Sequence, residues 1–312
     1  MKSLFPFVDI YLTRECNLRC SYCSVYKETK STLDAVTWKE VFTWLKGKTR
    51  TVSMFGGEPT IHPDFEYIIR ALNELDMNHV ICSNCSIPPK TLKKYAEIPV
   101  KTFGGSIDSL QDNFPDKWSR IKSHNALKVL PIFQENGSNI ILNFMACKTN
   151  WFELPTMTTY CRERGWHICF NLFHVQKGGI FAGGGSPLAL NKPELEKLSK
   201  MLVEEKKKDD TILGTIEFFQ NLPKFGLYQN WHCNNYVTLM IDSDGQLLVC
   251  REYAGEKTSQ YSIFDLITGD LSPMEYKKIV AEDAKKCHGC LHEIHYTSLM
   301  VEKGLIDEEV IF

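Results

Sequence analysis

Short runs rich in β-branched and aromatic residues alternate with stretches of helical periodicity over residues 1–210 of this 312-residue chain. That alternation directs a chain toward a parallel sheet covered by helices, because parallel neighbours must be joined by crossovers. Strands are expected to begin near Val8, Arg50, His79, Lys101, Asn139 and His167. Thr37 to Lys46 places Trp38, Val41, Phe42 and Leu45 at i, i+3, i+4 and i+7, an amphipathic helical face. Asp64 to Leu75, after Pro63, repeats the spacing with Phe65, Ile68, Ile69 and Leu72. Asn125 to Glu135 and Glu153 to Arg164 carry a weaker form of the pattern. Six β/α units are expected, and in α/β barrels sites form at the carboxyl ends of strands.

Two motifs lie just past such ends. Cys16-Asn17-Leu18-Arg19-Cys20-Ser21-Tyr22-Cys23 follows the apolar run Phe7 to Leu12. Three thiolates in this CxxxCxxC arrangement can hold three irons of a [4Fe–4S] cube and leave the fourth without a protein ligand. Zinc sites usually pair CxxC units and take four ligands, so the triplet fits zinc less well. Gly56-Gly57-Glu58-Pro59 closes the run Thr51 to Phe55. Glycines let backbone approach a ligand closely, and a carboxylate can hold an ammonium group.

The chain is 43% hydrophobic and 24% charged, with a formal net charge of −2, so no global basic field points to nucleic acid or an anionic membrane. Lys206-Lys207-Lys208 is offset by Glu204, Glu205, Asp209 and Asp210. No apolar segment has the length of a transmembrane helix, and no secretory signal stands at residues 1–8. With 12 cysteines and no export signal, the expectation is a cytoplasmic protein whose reduced thiolates bind metal.

CxxxCxxC followed some thirty residues later by GGEP closely resembles the radical S-adenosylmethionine (SAM) superfamily, whose α/β partial (β/α)6 barrel of the TIM type the six units suit. The resemblance implies that SAM chelates the open iron through its amino and carboxylate groups, with Gly56, Gly57, Glu58 and Pro59 beside it and Glu58 on its amine. It also implies that Tyr22 packs beside the adenine. Ser106-Ile107-Asp108 resembles the S-x-D segment that contacts the ribose and methionine of SAM, with Ser109 where the family often has Gly. Arg120 stands near the family's downstream basic residue, at a longer spacing. Asn84 and Asn143 are strand polar residues that reach the SAM pocket or are satisfied by backbone.

A second cysteine set lies in residues 211–312, read as a linker helix plus a small α+β domain. Cys233, Gly245 and Cys250 fall within the Cx9–15Gx4C pattern that opens SPASM and Twitch domains, and Cys287-His288-Gly289-Cys290 follows. Asp242 to Gly245, between Val237–Met240 and Leu247–Val249, predicts a hairpin. Four thiolates suffice for one auxiliary [4Fe–4S] cluster, with zinc as the alternative. The longer SPASM pattern needs cysteines where this chain has Tyr296 and Met300, so the shorter Twitch form fits. Cys147, Cys161 and Cys169 read as core residues. Cys82 and Cys85 form a further CxxC, read as coincidental; Ser83-Asn84-Cys85 replaces the family's Thr-Asn-Gly. His288, His292 and His295 are either ligands or a surface face. Gly178 to Pro187 reads as a loop near the barrel mouth.

In such a family a 5′-deoxyadenosyl radical removes a hydrogen atom from an unactivated C–H bond. The leading expectation is a radical SAM oxidoreductase acting on a small metabolite by two-electron oxidation, supplied with electrons by a flavodoxin or ferredoxin. The alternatives are a peptide maturase, a radical cyclase or isomerase of a nucleotide or sugar, and a non-catalytic Fe–S or zinc module. Few residues precede the first strand, so no fused leader-recognition domain is expected, which favours a small substrate over a peptide. Arg14, Lys148, Asn171, His174, Arg251 and Glu252 are pocket candidates from their places at strand ends or beside ligands.

Overall fold

Strand β1 (Phe5–Thr13) is buried at every position, as a strand with parallel neighbours on both edges and cover on both faces must be. The computed structural model describes residues 3–28, 30–173, 187–225, 238–251, 253–286 and 300. After β1 come β2 (Thr49–Gly56), β3 (Asn78–Ser83), β4 (Thr102–Ile107), β5 (Asn139–Ala146) and β6 (His167–Leu172), each pairing in parallel with the strand before it. All six start within a few residues of the positions expected from sequence. The crossovers carry α1 (Ala35–Leu45), α2 (Phe65–Glu74), α3 (Pro89–Ala96), α4 (Lys117–Glu135) and α5 (Leu154–Arg162). This is the partial, unclosed barrel of six β/α units.

Two elements escape the hydrophobic pattern. Helix α3 opens on Pro89 and buries only Tyr95 and Ala96, too few apolar positions to show a period. Helix α4 starts eight residues before the predicted Asn125, where the Asp116 carboxylate accepts from the amides of Trp118 and Ser119. Its first turns bury Ser119, Lys122 and Ser123, so the inward stripe is polar where the chain enters the helix.

Beyond the barrel lie α6 (Lys192–Lys206) and α7 (Ile216–Phe225), then the expected hairpin as β7 (Thr238–Ile241) and β8 (Leu247–Leu248), then α8 (Ile263–Thr268) and α9 (Pro273–Ala284). β7 pairs in parallel with β1, so the hairpin extends the same sheet: the order is β6-β5-β4-β3-β2-β1-β7-β8. Arg14 fixes the junction with a bidentate pair, Nε to Asp242 Oδ1 and Nη2 to Oδ2, both at 2.8 Å. Among the described residues no helix is long and apolar enough to cross a membrane.

The strands alternate strictly at their carboxyl halves. Ile81, Phe103, Ile107, Leu142, Phe144, Ile168 and Phe170 face the helices and form the main core. Tyr11, Phe55, Met240 and Leu248 line the opposite, inner face, with Cys23 and Cys82 packed against them. Cys82 thus belongs to the inner face and Cys85 to the core, which supports coincidence over a redox pair. The loop after β4 is held by Glu153, 1% exposed. Its carboxylate accepts from Ser109 Oγ (2.6 Å), Asn113 Nδ2 (2.9 Å), Leu110 N (2.8 Å) and Gln111 N (3.2 Å). Glu153→Ala strands these donors, and urea titration should show a loss of roughly 3 kcal/mol at unchanged slope.

Candidate functional site

β1 and β2 end side by side, and the chain beyond them is locked by backbone. Gly57 N donates to Thr13 O and Glu58 N to Glu15 O, each at 2.8 Å. A Cβ on Gly56 would stand 2.1 Å from Thr13 O, and one on Gly57 1.9 Å from Glu15 O. Only glycine permits this approach, so the pair packs directly beneath the residues that lead into Cys16.

The cysteine loop is then fixed from three sides. Leu18 N (3.4 Å) and Asn84 Nδ2 (3.6 Å) donate toward Cys16 Sγ. Asn84 also bonds Asn17 Oδ1 (2.9 Å), while Asn17 Nδ2 reaches Ser86 O (2.8 Å). Ser21 N donates to Asp116 Oδ2, joining the loop to the start of α4. Cys23 N closes a turn on Cys20 O (3.1 Å). All three thiols are partly accessible.

Burial pushes the Cys20 thiol up to about 12 and raises Cys16 as well, and the charge of Cys23 is felt at both. Partly buried thiols in mutual range are helped to ionise by a cation, which cluster irons supply. Amide donors aimed at sulfur are the usual surroundings of iron–sulfur ligands. Among the described residues no three His, Cys, Asp or Glu side chains converge on a single ion position. A cube, with its irons apart, does not require that. Cys16, Cys20 and Cys23 fit a [4Fe–4S] cluster.

Glu58 is fully buried. Its Oε1 accepts from Thr60 N (3.1 Å), Thr60 Oγ1 (2.6 Å) and Ser83 Oγ (2.8 Å), and its Oε2 from Asn84 N (2.7 Å). Burial raises its pKa against the pull of these bonds. The carboxylate braces the end of β2 to the end of β3, which leaves at most one acceptor position on Oε2 for an amine. Pro59 opens the following short 3-10 turn, Pro59–Ile61.

Tyr22 reaches inward, with its hydroxyl donating to Asp108 Oδ2 at 2.8 Å. Lys122 Nζ lies 2.9 Å from Asp108 Oδ1, donates to the Tyr22 hydroxyl and sits 4.9 Å from its ring centroid. Lys122 is buried, and its charge lowers the Cys20 thiol pKa. Arg120, the cation expected from sequence, is exposed, because it falls off the buried stripe of α4 that Ser119, Lys122, Ser123 and Ala126 define. The phase of that stripe was the available signal for Lys122. Ser106 and Asn143 are partly exposed on β4 and β5. A Cβ on Gly104 would stand 2.7 Å from Asn143 Nδ2 and 3.6 Å from Cys82 Sγ, so a missing side chain lets those two groups meet across β4.

Cys85 takes the glycine-like φ of +58° in the turn after β3, held by its amide on Ser83 Oγ at 2.9 Å. The turn that the family makes with Gly is therefore kept. Of the other candidates, Arg14 is spent on Asp242, Lys148 is exposed, and Asn171 donates to Cys169 Sγ at 3.7 Å. Cys250 is buried beside β8, with its amide on Tyr253 O at 3.1 Å. Cys233, Cys287, Cys290, His174, Glu252, His288, His292, His295 and the Gly178 to Gly185 segment lie outside the described residues.

Residues 10–153 match the radical SAM superfamily. The chain carries a radical SAM domain. Fe-coproporphyrin III synthase of Methanosarcina barkeri is 29% identical over 199 residues, 61% of this chain and 48% of that protein. GTP 3′,8-cyclase of Chlorobaculum tepidum is 24% identical over 295 residues, 88% of this chain and 86% of that one. The chain spans about half the length of the first curated relatives it matches. Native anSMEcpe with bound AdoMet shares the fold, with a TM-score of 0.62 at 15% identity over 96% of this chain and 98% of its own. The radical SAM domain thus coincides with the strands that carry the cysteine loop and the glycine pair.

Gly57→Ala should therefore cost the protein its cluster. After anaerobic reconstitution, iron per chain should fall by about the four irons of one cube as the 1.9 Å clash displaces Glu15 and Cys16. Wild-type iron content in that variant would show that the glycine does not set the loop.

Proposed function

We propose that the protein is a radical SAM enzyme that cleaves SAM reductively and removes a hydrogen atom from a small metabolite, for a net two-electron oxidation. The observation that carries this reading is the Cys16–Cys23 loop, braced at the carboxyl ends of β1 and β2 above the inner face of the sheet. When bound there, a reduced [4Fe–4S] cluster supplies SAM with the electron that releases methionine and a 5′-deoxyadenosyl radical.

The chain's own residues set the stage. Lys122 offers a buried ammonium for the SAM carboxylate, with Asp108 and Tyr22 orienting it. Ser106, Asn84 and Asn143 offer hydrogen bonds at neighbouring strand ends. Tyr11, Phe55 and Met240 exclude water below the loop, which protects a radical from solvent hydrogen donors. Cys233, Cys250, Cys287 and Cys290 are assigned to a second [4Fe–4S] cluster in a Twitch module over residues 211–312, an electron acceptor suited to an oxidation. A cytoplasmic flavodoxin or ferredoxin is the assigned electron donor.

The match to GTP 3′,8-cyclase over 88% of the chain favours a second reading, radical rearrangement of a nucleotide. Anaerobic incubation with SAM and dithionite tests the shared step. Wild type should form 5′-deoxyadenosine, and a Cys16/Cys20/Cys23→Ala variant should form none; equal yields would end the enzyme reading. Lys122→Met should weaken SAM binding about tenfold, the scale of one lost charge-assisted contact, while Arg120→Ala stays within about twofold. Equal effects in equilibrium dialysis would deny Lys122 the carboxylate role.

A further inference from the structure

The inner face has a floor that the SAM site does not use. Asp9, 1% exposed, pairs in register with Ser53 of β2 and Met240 of β7. It lies on the same face as Tyr11 and four residues before Thr13, about 13 Å below the strand end at ~3.3 Å per residue. Arg251 reaches it from beyond β8. Its Nε (3.1 Å) and Nη2 (3.0 Å) both donate to Asp9 Oδ2. The guanidinium stacks 3.9 Å from the Phe55 centroid, and the Arg251 carbonyl accepts from the Tyr11 hydroxyl at 3.1 Å.

This geometry spends two of the five Arg251 N–H donors on one oxygen. Among the described residues, Asp9 Oδ1 is buried with no hydrogen-bond partner, and so is Thr238 Oγ1, two residues before Met240 on the same face of β7. An unsatisfied buried acceptor on a carboxylate keeps its full desolvation cost, so a donor belongs there. Arg251 already neutralises the Asp9 charge. An incoming ammonium would leave a net positive charge in an apolar setting, whereas a neutral hydroxyl would not. Cys82, Ser106, Asn143 and Asn171, partly exposed on the next strands, continue a polar track along this face toward the cysteine loop.

We propose that Asp9 and Arg251 anchor the substrate through a neutral hydroxyl bound at Asp9 Oδ1, so that the substrate is a hydroxylated molecule of sugar or nucleoside type. The anchor rests on the radical SAM reading above and narrows its substrate class. Phe55 and Tyr11 then pack against the carbon skeleton, and the far end of the molecule lies under the loop where hydrogen abstraction takes place.

Calorimetry on the anaerobic, cluster-loaded protein with SAM present tests it. The probes are guanosine and methyl riboside, each beside its dideoxy analogue, and 1,4-diaminobutane. At least one hydroxylated probe should bind tenfold or more tighter than its dideoxy analogue, and Asp9→Asn should bring the two within twofold. Guanosine alone would mark a nucleoside; both probes alike, a sugar. Equal binding of the analogue, tighter binding of the diamine, or no binding of either hydroxylated probe overturns the proposal. The analogue comparison needs no variant, so it stands even where Asp9→Asn fails to fold. In a dithionite-reduced aliquot of the same wild-type preparation, SAM should change the EPR spectrum of the reduced cluster. With that change and no hydroxyl discrimination, only the anchor fails; without it, the radical SAM reading fails too.

Discussion

Gly57 gives its amide to the Thr13 carbonyl and Glu58 gives its own to Glu15, so the end of β2 is stitched to the residues just before Cys16. The contact is backbone on backbone and tolerates no Cβ on either side. From it follow the direction of the cysteine loop, the height of Cys16 above the sheet and the burial of Glu58. Glu58 then extends the stitch to β3 through Ser83 and Asn84, and Asn84 returns to Cys16. A short closed circuit of hydrogen bonds thus joins three strand ends to one sulfur.

A second circuit holds the far side of the loop. Asp116 caps α4 and takes the Ser21 amide, while Lys122, less than two turns on, meets Asp108 and Tyr22. The helix entry therefore does electrostatic service at its first turns and packing service further along, at Val129, Leu130 and Phe133. Splitting one helix between two tasks lets a rigid element carry a buried cation to the cysteines without a flexible linker.

This division explains what could be read in advance. The six barrel strands were legible because parallel strands are near-continuous apolar runs, and Phe65, Ile68, Ile69 and Leu72 revealed α2 by period alone. The start of α4 was not, since Ser119, Lys122 and Ser123 carry no hydrophobic signal, and the same blindness directed attention to Arg120. CxxxCxxC and the two glycines were plain in the sequence. What Glu58 bonds to was hidden, because Ser83 and Asn84 reach it only through the β2–β3 pairing. Cys85 in a left-handed turn ran against propensity, and Ser83 compensates it locally. The partnership of β7 with β1 spans more than two hundred residues and leaves no local trace.

That last pairing bears on the order of events during synthesis. Chains emerge amino end first, and non-local strand pairs form late because closing a long loop costs entropy before any contact repays it. β1 can zip to β2 early, yet its other edge waits for Thr238–Ile241, and Arg14 waits for Asp242. The segment just upstream of Cys16 is thus locked on one side while its other side stays open until residues 238–242 have been made. Until then Arg14, two residues before Cys16, stands without the carboxylate that fixes it in the folded protein.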